Sequence, residues 1–250
     1  MEYKDIIVTR ENGTGKIMLN RPRAMNALSM RLRDELEDSL SRLGSDDEVS
    51  LIMITGGPKS FSAGFDLKEA VDTNLKSFFH RIFEYHRAIY TVKKFVITAV
   101  SGVALAGGFD LALAGDMILA SENASFGHVE VNFGVNPIVY PLAKKIGSAR
   151  AQELCSTGRM ITASEAKEMG LVNEVYPHDG FVEAAERRAG EIGRVGGRTL
   201  TAIKEATFRN LKKDASKVLK FEFSLTSRLL DRKEFQNRIE IFLRQSGMIK

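Results

Sequence analysis

Two acids pose the first chemical question in this 250-residue chain. Asp110 lies inside the run GVALAGGFDLALAGD (102–116), three residues past Gly107, and Glu130 follows within SFGHVEVNFG (125–134). A lone carboxylate in so apolar a run costs several kcal/mol, roughly, unless its charge or its proton is held. Two such groups facing one carbonyl compound could take a proton at one carbon and deliver one at another. The nearby glycines indicate where the carbonyl would sit. A glycine ahead of a helix lets the backbone approach a ligand, and first-turn amides have no partner inside the helix. AGF at 63–65 and AGG at 106–108 can each supply one N–H to a common oxyanion. Each feature also has a plain explanation. Glycines at helix starts serve tight packing, buried acids serve as caps or ion-pair partners, and His128 beside Glu130 suits a packing histidine.

These residues need elements to hold them. DIIVTR and GKIMLN flank ENGTG, a hairpin signal with Asn-Gly at its tip. SLIMITG and FVITAVSG are apolar at consecutive positions, as strands covered on both faces are, and DMILAS is a further strand. The opening run then reads as a buried strand end turning into a buried helix. If strands 95–101 and 116–120 are neighbours, Asp110 and Glu130 can face one pocket. Leu28, Leu32, Leu36, Leu40 and Leu43 form one helical stripe, with acids and arginines on the other face. A helix over 75–92 buries Phe78, Phe79, Ile82, Phe83 and Ile89. NRPRAMNAL (20–28) is a Pro-containing turn with Asn26 as a helix cap. Thr162 and Glu165 form a capping box that Gly170 closes. LVNEVY is one late strand, and 180–193, 198–213, 216–231 and 234–246 are helices. Asp66 with Lys68 fits a local surface pair, and Asp116 fits a strand or turn cap.

Bulk properties exclude several classes. One cysteine, Cys155, rules out a disulfide framework, and no His-Cys cluster suggests a metal. No apolar run approaches the roughly 20 residues of a membrane helix, and the polar, acid-bearing N-terminus does not resemble a targeting segment. A cytoplasmic protein is expected. The chain lacks GxGxxG, a P-loop and GxSxG, so nucleotide cofactors of those classes and an ordinary serine hydrolase are not indicated. Residues 194–250 hold 14 Lys+Arg against 6 Asp+Glu, which suits either a solvated helical surface or an anionic partner.

Five ordered motifs carry a resemblance: LNRPRAMNAL, FSAGFDLKE, VSGVALAGGFDLALAGD, ASFG and TASEAKEMGLVNEVYP. From about residue 4 to at least 177 the chain resembles the enoyl-CoA hydratase/isomerase (crotonase) family. The resemblance implies an α/β fold, a spiral of ββα units over 1–193 that holds an acyl-CoA site. It assigns 194–250 to a helical region for trimerisation, often in paired trimers, and for covering the pocket. It implies an oxyanion hole from the amides of Phe65 and Gly107, and CoA contacts at Arg23, Ala63, Phe65, Asp66, Leu67, Lys68 and Gly107. Coenzyme A would be part of the substrate, with no separate cofactor and no metal.

Family hydratases place two glutamates where Asp110 and Glu130 stand. Aspartate reaches ~1.5 Å less, and NPIVYP (136–141) replaces the glycine-rich run usual in hydratases. Hydration of a 2-enoyl-CoA is the leading expectation, with Glu130 moving the α-carbon proton and Asp110 orienting or activating water. The alternative is double-bond isomerisation with Glu130 as the main base. RNA-binding members use a lysine-rich helix. Here the matching stretch sets Arg31, Arg33 and Arg42 against Asp34, Glu35, Glu37 and Asp38, so nucleic acid is not an expected partner.

Overall fold

Asn12 and Gly13, at φ of 48° and 76°, turn the chain between β1 (Ile6–Glu11) and β2 (Thr14–Leu19). Two residues at positive φ match the right-handed twist of the antiparallel strands they join. The computed structural model describes residues 3–72, 75–208, 217, 220–224, 237, 240, 241 and 243–245. After β2 comes α1 (Met30–Ser45), and from there one turn recurs: a long strand, a short strand or bridge, then helix.

In the first turn β3 (Leu51–Thr55) leads to a bridge between Ser62 and Ala104, then to α2 (Leu67–Asp72) and α3 (Leu75–Tyr90). The second runs β4 (Phe95–Val100), β5 (Val103–Leu105) and α4 (Gly107–Leu113). The third is β6 (Met117–Ser121), β7 (Ser125–Gly127), a 3-10 helix (Val129–Phe133), α5 (Val139–Ile146) and α6 (Ser148–Thr157). Then follow β8 (Ile161–Thr162), α7 (Ala163–Glu168), β9 (Glu174–Tyr176), α8 (Phe181–Gly193) and α9 (Gly197–Phe208).

Long strands form one sheet in the order β1-β2-β3-β4-β6-β9, and short ones a second, β5-β7-β8. Every pairing in the large sheet beyond β1–β2 is parallel. This is the ββα spiral that the resemblance implies, and β4 and β6 are neighbours as the site requires. All residues of β3 and β4 are buried, which explains their unbroken apolar runs.

Three local expectations are corrected. Ser29, not Asn26, caps α1, accepting the Leu32 N–H at 3.2 Å. Asn26 sits at φ 53°, and its amide bonds the Arg21 N–H and the carbonyls of Gly56 and Ser60. Arg33 does not join the solvated face: it is 2% exposed, its guanidinium over the Phe65 and Phe78 rings at 5.5 and 5.9 Å. In α3, Tyr85 and His86 are buried with Phe78, Ile82 and Ile89, while Phe79 and Phe83 are only half-buried.

The Thr162–Glu165 capping box is present, and Gly170 follows at φ 80°. Asp116 ties strands as expected, accepting the Val96 N–H at 2.8 Å and pairing with Lys204. The helices expected over 216–231 and 234–246 lie largely outside the described residues. No helix among those described is long and apolar enough to cross a membrane.

Candidate active site

Beside the start of α4 lies a cavity of about 1020 Å³, lined mostly by apolar side chains. Phe65 and Gly107, on adjacent turns of the spiral, both line it. Leu28 N–H donates to Gly64 O at 2.8 Å and Asp66 N–H to Leu28 O at 3.4 Å, a parallel bridge centred on Phe65. The Phe65 N–H therefore points away from Leu28. Gly107 N–H opens α4, where no carbonyl of the helix can reach it. Neither amide has an acceptor among the described residues.

The backbone before Gly107 is unusual. Ala106 stands at φ 47°, ψ −123°, a conformation that costs a side-chain-bearing residue on the order of 1–3 kcal/mol. Its N–H is fixed to Gly127 O at 2.9 Å, and its carbonyl accepts the Asp110 N–H at 3.0 Å. Packing also demands both following glycines. A Cβ on Gly107 would lie 2.5 Å from the Phe65 ring, and one on Gly108 2.5 Å from the Ser62 carbonyl. The functional and packing explanations coincide here.

Asp110 and Glu130 both line the cavity. Asp110 is 3% exposed, and its Oδ2 lies 3.0 Å from Nε2 of the buried His86. Nδ1 of His86 is 2.7 Å from the Ile82 carbonyl, which only accepts, so Nδ1 carries a hydrogen. A bond from Nε2 to Asp110 then needs one further proton, on nitrogen or on oxygen. Either way the pair is neutral overall. Among the described residues, Oδ1 of Asp110 is buried without a partner.

Glu130 Oε1 lies 3.1 Å from Nδ1 of His128, which is buried against the Phe109 ring. Burial works against charge on His128, but the charge and hydrogen bond of Glu130, with Asp110 and Glu222, outweigh it and raise the imidazole pKa. His128 is thus more than packing. It orients the carboxylate.

Arg23, Ala63, Phe65, Asp66, Leu67, Lys68 and Gly107 all line the same cavity. Arg23 and Lys68 are exposed and form no ion pair among the described residues. The expected Asp66–Lys68 pair is corrected: Asp66 Oδ2 takes both Arg21 guanidinium N–H groups at 3.1 Å. Among the described residues no cluster of His, Cys, Asp and Glu could hold a metal ion.

The sequence reading missed two groups in this wall. His86 falls on the buried face of α3, four residues after Ile82, and that helical spacing was its one signal. Glu222 arrives from the far C-terminal segment. Its Oε1 accepts the N–H groups of Val139 and Tyr140 at 3.1 and 3.2 Å. Burial pushes its pKa up to about 7; those amides pull down, Asp110 pushes up and His128 pulls down. Nothing local in the sequence marks it.

This fold is shared with known proteins. The family model Enoyl-CoA hydratase/isomerase matches residues 9–247, and the chain belongs to that family. A probable enoyl-CoA hydratase of Mycobacterium bovis is 36% identical over 226 residues, covering 89% of this chain and 88% of that protein. A crotonyl-CoA hydratase of Syntrophomonas wolfei is 34% identical over 246 residues, 94% of each chain. The crystal structure of an enoyl-CoA hydratase/isomerase from Xanthobacter autotrophicus superposes with a TM-score of 0.89 at 28% identity, covering 98% of this chain and 95% of that one.

Proposed function

We propose that the chain is an enoyl-CoA hydratase, adding water reversibly across the double bond of a 2-enoyl thioester of coenzyme A. The observation that carries this is the pair of acceptor-less amides, Phe65 and Gly107, on the cavity that Glu130 also lines. With the thioester oxygen between them, negative charge gathers on that oxygen as the α-carbon changes protonation. One such donor is worth ~3 kcal/mol of barrier. Glu130 exchanges the α-proton, and His128 fixes its orientation. Asp110, held by His86, keeps Oδ1 as an acceptor that orients the water.

Arg23 and Lys68 supply cations for the CoA phosphates, while Ala63, Leu67 and the Asp66–Arg21 pair shape the adenine end. The chemistry uses no separate cofactor. The large apolar side chains of Val195 and Phe221, within 194–250, are more than 50% exposed, which supports this region as an oligomer contact in a homotrimer or hexamer. Residues 1–193 then form the spiral core.

Hydration is tested with crotonyl-CoA: loss of the conjugated-thioester absorbance through water addition is the expected result. A second reading, double-bond isomerisation, is favoured by Ile138, which is buried on the cavity wall and leaves less room for water. It predicts that absorbance appears from a 3-enoyl-CoA instead.

A further inference from the structure

We propose that Glu222 is the second proton carrier of this site, working on the β-oxygen opposite Glu130 on the α-carbon. The inference rests on the acyl-CoA reading above and assigns its missing acid. Glu222 lines the same cavity as Phe65, Gly107, Asp110 and Glu130. One oxygen is anchored by the first amides of α5. The neighbouring Phe223 ring packs edge-on against His86 and Phe83 at 5.6 and 5.4 Å. The segment is therefore seated in the wall.

Asp110 is poorly suited to the same task. Its Oδ2 is committed to His86, and only Oδ1, as buried as Oε2 of Glu130 and of Glu222, is left for transfer. Transfer through Oδ1 would put a second proton on a pair already neutral, in a buried place.

In the dehydrating direction the Glu130 carboxylate takes the α-proton of a 3-hydroxyacyl thioester. The Cβ–O bond breaks, the double bond forms, and the Glu222 carboxyl gives its proton to the departing hydroxide, releasing water. Glu130 ends with the α-proton and Glu222 without its own, so the pair still carries one proton, and exchange with solvent returns it to Glu222. Hydration is the same path reversed, so both directions need one proton on this pair of acids. The titratable groups that line the same cavity or feel the charge of Glu222 are Asp110 from α4, His128 just ahead of the 3-10 helix, Glu130 within it, His86 and Tyr90 from α3 and Cys155 from α6. Burial holds the Tyr90 phenol well above its usual value and the Cys155 thiol up at about 12, so neither changes charge near neutrality. Glu222, pushed up to about 7, does.

A plainer role for Glu222 is capping α5, and Glu222→Gln separates the two because its amide oxygen can still accept those N–H groups. Wild-type kcat/KM for crotonyl-CoA should fall as pH rises through about 7. Glu222→Gln should lower kcat on the order of a hundredfold, leave KM within about twofold and abolish that decline, with Glu222→Asp restoring part of both. Deuterium exchange at the α-carbon of butyryl-CoA, which has no β-oxygen, should fall far less. Wild-type kcat with the decline intact in Glu222→Gln, or hydration and exchange lost to the same extent, would overturn the proposal. A wild-type protein inert toward crotonyl-CoA would instead overturn the hydratase reading, and this assignment with it.

Discussion

Among the described residues the Glu130 carboxylate is held by a single histidine contact, its other oxygen buried without a partner in a residue that lines the cavity, so removing its charge tests one proton transfer with little else disturbed. Glu130→Gln should cut hydration by about two to four orders of magnitude while CoA binding, followed by calorimetry, persists. Retained turnover would place the base elsewhere. Asp110→Asn should abolish hydration yet only blunt bond migration, read by assaying crotonyl-CoA and a 3-enoyl-CoA side by side. Equal damage to both would contradict its role toward water.

Glu222 also writes itself into stability. An acid raised from 4.5 to about 7 favours the fold in its neutral form, so that contribution is complete below 4.5 and lost as pH rises through 7. Relative to Glu222→Gln, the wild type should lose on the order of 2–3 kcal/mol across that window, measured by urea unfolding at pH 4.5 and 8. Asp110 and Glu130 were legible because each sits beside glycines at a predicted strand end. Glu222 was not, since 83 residues separate it from the Val139 amide it touches and only tertiary packing joins them. Arg33 misled for the opposite reason: a charged residue in an amphipathic helix is ordinarily solvated, and rings of two other elements bury this one.

Elements of the large sheet announced themselves through unbroken apolar runs and the Asn-Gly turn. The small sheet did not. Its strands span two or three residues, too few to show a period, although it sets β5 directly ahead of α4. The contact between α4 and the preceding turn can be probed at Gly108, where a Cβ would stand 2.5 Å from the Ser62 carbonyl. Gly108→Ala should destabilise by ~1–3 kcal/mol and reduce kcat, read by denaturant titration and assay together. An unchanged midpoint would show that the turn yields freely.

At the scale of the whole molecule, the C-terminal region forms part of the cavity wall through Glu222, Phe223 and Leu243, so the segment proposed for assembly also shapes the site. Light scattering should give three or six times the 27.7 kDa chain mass, and a monomeric species would count against the oligomer contact proposed for 194–250.

Ala106 keeps a methyl group at φ 47°, clamped from β7 on one side and from the first turn of α4 on the other. Nothing in that clamp waits for a ligand. The dipole proposed to meet the thioester is aimed by the backbone itself, and the tension is stored during folding, not at turnover. Planar, charge-delocalised mimics of the enolate should accordingly outbind saturated thioesters of equal length, since the site is tuned to the fleeting species and not to the resting one.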